Sequence, residues 1–98
     1  MRRIQTLVDC IEEELEGAKN YTEMYLDLKA DGSQWASKFR DIANDELGHA
    51  MTLHNYAKEE IDKLRKVYTP TAEMQEMWDH EHKVTMEKVA WIKTMLSM

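Results

Sequence analysis

From Ile4 to Leu28 a single stripe of positions, spaced alternately three and four apart, carries Ile4, Leu7, Ile11, Glu14, Ala18, Tyr21, Tyr25 and Leu28. That spacing is the seam of an amphipathic helix, and a seam this long needs a partner along its whole length. Glu14 alone interrupts it. A second seam runs through Trp35, Phe39, Ile42, Glu46, His49, Leu53 and Tyr56, then drifts to Ala57, Ile61 and Leu64. A third holds Met74, Trp78, His82, Thr85, Val89, Ile92 and Leu96, flanked by Met77, Glu81 and Met95. Only Asp31-Gly32-Ser33 and Thr69-Pro70-Thr71 break the pattern. Gly32 suits a left-handed helix end and Ser33 an N-cap. Pro70 disfavours helix for the residue before it and suits the start of a new one. The chain is therefore expected to be one all-α domain over residues 1–98, with helices at about 3–30, 34–67 and 71–96. Short turns make successive helices antiparallel neighbours, giving a long helical hairpin plus a third helix.

Composition narrows the function. The chain has 13 basic and 19 acidic residues, a formal net charge of -6, and no basic patch. Nucleic acid is not an expected partner, whereas an acidic surface gathers cations weakly. Cys10 is the only cysteine, so neither an intramolecular disulfide nor a cysteine zinc site can form, and a cytoplasmic setting is expected. No stretch approaches the roughly 20 apolar residues of a membrane span. The start of the chain lacks the apolar core of a signal peptide.

The chemistry is concentrated at Glu46 and His49. Their i,i+3 spacing puts a carboxylate and an imidazole on one helix face, and the seam places that face toward a packed interior. A buried charge is costly unless it is paired or binds metal. Glu-x-x-His projecting into a helix bundle is also the half-site of dinuclear iron and manganese centres. By itself the motif is common and equally fits a core network or a surface contact. Glu14 shifts the balance. It lies 18 residues before Gly32 and Glu46 lies 14 after it, a mismatch of about 6 Å along antiparallel helices. Two carboxylates would then share a seam with no Lys or Arg beside them, which is expensive without a cation. One hairpin supplies two carboxylates and one imidazole, half of a four-carboxylate, two-histidine site. A second copy about a two-fold axis would supply the rest. Gly17 and Gly48, each within a turn of an expected ligand, are candidates for making room there.

These residues resemble the ferritin-like superfamily, in particular rubrerythrin-type diiron domains and half-length encapsulated ferritins. The resemblance covers roughly residues 7 to 57. It rests on Glu14, Tyr21-Thr22, and Glu46-Leu47-Gly48-His49-Ala50 after a bundle turn. It implies Glu14 as the first-helix iron ligand, Glu46 as the bridging ligand and His49 as the terminal nitrogen ligand. Tyr21 would sit near the metal without ligating it. Glu16, in the acidic run Glu12-Glu13-Glu14-Glu16, resembles a carboxylate on the ion's route inward. The resemblance also implies a four-helix bundle completed by dimerisation. The chain has one Glu-x-x-His and no Cys-x-x-Cys pair, so the half-length, dimer-completed type fits better than the full-length one. The long third helix and the ending Thr94-Met95-Leu96-Ser97-Met98, without an address tail, argue against a nanocompartment shell as partner.

Three functions follow as expectations. The first is a homodimer or higher oligomer with dinuclear iron, or manganese, at the subunit interface, oxidising Fe(II) with dioxygen or peroxide. The second is a diiron or dimanganese peroxide scavenger. The third is a non-enzymatic helical assembly module, in which Glu14, Glu46 and His49 would meet Lys, Arg or backbone partners. On the third helix the run Asp79-His80-Glu81-His82 could bind metal: Asp79 and His82 share a face at i,i+3, whereas His80 and Glu81 face elsewhere, and Glu81 and His82 are the weaker ligand candidates. A solvated charged stretch is the simpler reading there. His54, off the seam, is expected at the surface. The methionines, Trp35, Trp78, Trp91 and Cys10 are expected in packing roles.

Overall fold

The computed structural model describes residues 2–98. They form three helices: α1 (Arg2–Ala30), α2 (Ala36–Val67) and α3 (Ala72–Leu96). No strand occurs among the described residues, and none of these helices is long and apolar enough to cross a membrane.

The α1–α2 turn is built as its residues suggest. Gly32 has φ +69°, the Ser33 N–H donates to the Leu28 carbonyl, and the Gly32 N–H donates to that of Lys29. This is a Schellman end, which needs a left-handed residue at the glycine position. Ser33 is not the N-cap of α2, contrary to expectation. Its Oγ accepts from the Trp35 N–H, a turn intervenes, and α2 begins at Ala36 rather than 34, with Trp35 as its N-cap residue and no side-chain cap bond. The second break behaves more simply. Thr71 is extended and its side chain accepts from the Met74 N–H, capping α3. Arg3 at the start of α1 meets Glu60 near the end of α2, as antiparallel pairing requires. α3 returns alongside and packs mainly on α1, with which it runs parallel.

The core strip on α2 differs from the expected seam by one residue. The buried positions are Ala36, Ala43, Leu47, Ala50 and Ala57. Trp35, 60 % exposed, and Ile42 and Tyr56 face outward instead. The reason is helix spacing. Ala18, Ala43 and Ala50 have no exposed surface at all, and small side chains let two helix backbones approach closely, so the alanines rather than the large residues mark the contact. On α1 the expected strip holds at Ile4, Leu7, Ile11, Ala18 and Tyr25, but Leu15 and Thr22 are buried in place of Glu14 and Tyr21. On α3, Trp78, Thr85, Val89, Ile92 and Leu96 are buried as expected, but His82 is exposed.

The result is a rod measuring 54 × 17 × 16 Å. Its radius of gyration, 16.0 Å, exceeds the roughly 13 Å of a compact 100-residue domain. One face of the hairpin carries α3. The other is uncovered and presents Tyr21, Met24, Trp35, Ile42 and Tyr56. Leu15, 2 % exposed, lies at the centre of the single core cluster. Leu15→Ala is expected to lower stability by about 2–5 kcal/mol through lost burial and a residual cavity, measured by urea denaturation at fixed protein concentration.

Candidate metal centre

Glu14, Glu46 and His49 come together on the uncovered face. Each offers one ligand atom, and these atoms lie within 4.8 Å of one another. The His49 Nδ1 stands 3.5 Å from Glu14 Oε2. Each residue is positioned for a local reason. Glu46 and His49 are one turn apart on α2, and Glu14 sits at the matching height of α1, as the antiparallel register brings it. Gly17, one turn after Glu14, keeps the gap open. A Cβ there would stand 3.1 Å from Glu46 Oε2, so the missing side chain is the space the carboxylate occupies. Gly48 has no such neighbour within 4 Å, and nothing in the structure explains it.

The setting is half-wet rather than a sealed interior. The Glu14 side chain is 29 % exposed and that of His49 is 61 % exposed, whereas the sequence places both toward packed core. The cause is the shift of the buried strips described above, which leaves positions 14 and 49 toward the face that nothing covers. Even so, Glu14 Oε2 is buried and accepts no hydrogen bond. Among the described residues, no Lys or Arg forms an ion pair with Glu14 or Glu46. The Glu46 carboxyl is held above the usual carboxylate range, first by a hydrogen bond with Glu14, then by burial, and then by the Glu14 charge. His49 pulls the other way. Within the cluster the relief comes from a proton on the Glu46 carboxyl and from His49, 3.5 Å from Glu14. A divalent cation would relieve it as well, and carboxylate plus imidazole is a donor set that suits iron and manganese. The residues fit such an ion.

The weaker candidates fall elsewhere. Tyr21 shares the uncovered face but packs against Phe39, with ring centroids 6.1 Å apart. Glu16 is not brought to the cluster. It lines a shallow hollow with Glu12, Glu13 and Lys88, about 200° around α1 from Glu14 at 3.6 residues per turn. Glu81 is half-buried between α3 and α1, where burial and the neighbouring Glu12 raise its carboxyl above the ordinary range. His82 instead meets His54, with Nε2 of His54 and Nδ1 of His82 3.0 Å apart. Sequence reasoning missed that pair because His54 belongs to no large-residue seam. The signal was Ala50 and Ala57, which put position 54 on the strip facing α3.

An all-helical hairpin carrying a carboxylate–histidine cluster that could hold a metal ion is the arrangement of a ferritin-like protein. The chain belongs to the rubrerythrin family within the ferritin-like superfamily: the family's sequence model, Rubrerythrin, matches residues 5–90. That membership places it among proteins of the diiron-carboxylate type. No match was found among curated proteins or solved structures.

Two outcomes are expected. Gly17→Ala should leave the metal-free protein folded, with a helix gain of up to about 1 kcal/mol, yet weaken metal binding by displacing Glu46. Thermal melts with and without metal would separate the two effects. The second concerns pH. Because the folded protein raises the Glu46 carboxyl, the folded state binds more protons than the unfolded one above pH 4.5. The favourable contribution is complete below that pH and is lost as pH rises through the folded value. Metal-free Glu46→Gln should therefore melt higher than wild type at pH 7, and the gap should close toward pH 4, by calorimetry across pH.

Proposed function

We propose that this protein is a non-haem diiron-carboxylate protein of the ferroxidase type, whose metal site is shared between two subunits. The observation that carries this reading is the half-set itself. Glu14, Glu46 and His49 converge within 4.8 Å on a face that also bares Tyr21, Met24, Trp35, Ile42 and Tyr56. A second copy laid on that face would bury the apolar residues and double the ligands, because a two-fold interface repeats every contact. Exposed apolar patches of this kind mark interaction surfaces.

In this reading Glu14 and Glu46 hold the metal's charge and His49 supplies nitrogen through a neutral imidazole. Bound there, iron supplies one-electron chemistry toward dioxygen or peroxide. The chain's own groups do the rest. A cation competes with protons for the Glu46 carboxyl, whose proton affinity is raised, so binding weakens in acid. The exposed His49 ring leaves the cluster accessible to Fe(II) as substrate. The acidic surface raises the local concentration of cations in a salt-dependent way. Manganese in the same donors is the alternative metal, and peroxide removal the alternative reaction.

The assembly-module reading requires Lys, Arg or backbone partners for Glu14, Glu46 and His49. The contact found among them is that of His49 with Glu14, which favours the metal reading.

The test is an anaerobic Fe(II) titration followed by native mass spectrometry, on wild type and Glu46→Ala. Two irons per dimer in wild type, with none in the variant, is the expected result. Subsequent oxygen or peroxide turnover would then separate iron oxidation from peroxide removal. A dimer that takes up no iron and matches the variant would overturn the proposal.

A further inference from the structure

His54 and His82 join α2 to α3 on the opposite side of the hairpin from the carboxylate cluster. Their nearest ring nitrogens are 3.0 Å apart and their ring planes are tilted by 32°. They stand in the wall of a cavity of about 260 Å³, floored by Val8, Ile11, Ala57 and Trp78. The bond between the rings fixes a tautomer. If His82 donated, the His54 proton would sit on Nδ1, a buried nitrogen without a hydrogen-bond partner. Nε2 of His54 is therefore the donor, which leaves its Nδ1 as a bare acceptor in a half-buried place. Burial, followed by the nearby His82, makes that ring harder to protonate than a free histidine.

We infer that His54 and His82 form a second, mononuclear site for an imidazole-preferring divalent ion such as Zn(II) or Ni(II), separate from the carboxylate centre. Two nitrogens bound tetrahedrally at about 2.1 Å lie about 3.4 Å apart, close to the 3.0 Å found here, so one ion can reach both once the rings turn out of their mutual hydrogen bond. Ligation by Nε2 moves the His54 proton to Nδ1, which has no hydrogen-bond partner, a cost that the two metal–nitrogen bonds must exceed. No proton is lost overall. Asp79 and Glu81 line the same cavity and favour a cation, whereas Lys58 opposes it. Arg65 is already engaged by Gln75 at 2.7 Å and Asp62 at 3.4 Å. With few oxygen donors at hand, the pair selects ions that bind nitrogen strongly. Water would complete the coordination sphere. Direct contact between α2 and α3 is sparse, so an ion held here clasps the third helix to the hairpin and stabilises the folded state by mass action.

The inference does not rest on the iron reading, and the experiment keeps them apart. Zn(II) is titrated calorimetrically into Glu46→Ala, which lacks the carboxylate centre, and into Glu46→Ala combined with His82→Ala. One equivalent per chain in the first and none in the second is expected, with a zinc-dependent rise in melting temperature only in the first. Imidazole nitrogen NMR on Glu46→Ala should show zinc moving the resonances of both His54 and His82, a readout that does not depend on how the histidine variant folds. No zinc uptake by Glu46→Ala, uptake unchanged by His82→Ala, or a response from only one ring would overturn the inference.

Discussion

Two carboxylates held side by side, with no Lys or Arg paired to either among the described residues, set the terms for this molecule. Glu14 and Glu46 face each other across a helical hairpin, one of them with a buried oxygen that accepts nothing. Like charges this close raise the proton affinity of one partner, and Glu46 is the one that responds. The surrounding structure sustains the arrangement. Gly17 leaves the gap that the Glu46 carboxylate fills, and the fully buried Ala18, Ala43 and Ala50 hold the two helices together. The pair of glutamates is kept at the edge of the packed core, half-buried on the uncovered face of the hairpin.

The third helix decides what remains open. By packing chiefly on α1 and away from the cluster, it covers the back of the hairpin and leaves the ligand face bare. Had it crossed the other face, it would have buried His49 and the apolar residues around it, and the half-set of ligands would have been sealed within one chain. The bare face and the incomplete ligand set coincide, and that coincidence supports the shared-site proposal. The same placement puts His82 of α3 against His54 of α2, so two of the three histidines outside the carboxylate cluster find each other on the far side.

Much of this was legible in the residues. Three seams and two breaks mark three helices, because Gly32 and the Thr69-Pro70-Thr71 segment act locally, through φ and the missing N–H. The meeting of Glu14 with Glu46 and His49 also follows from the chain, since a short turn fixes antiparallel register within a few ångströms. Less legible was which side of each helix is covered. Trp35, Ile42 and Tyr56 look like core by size, and alanine carries little signal of its own, so the contact strip at Ala36, Ala43 and Ala50 is read one residue out of place. That 100° rotation is small on a helical wheel, yet it converts an expected interior into a surface.

The sequence by itself determined the helices, their order and the trio of ligand residues, because periodicity, capping and turn length act over a few residues. Only the tertiary structure decided that α3 lies behind the hairpin, that the trio faces outward beside exposed aromatic and aliphatic side chains, that Glu16 and Glu81 stand apart from it, and that His54 pairs with His82. Those outcomes depend on which faces pack most closely. Close packing is set by small side chains meeting across helices, a pairwise property that no single seam reveals.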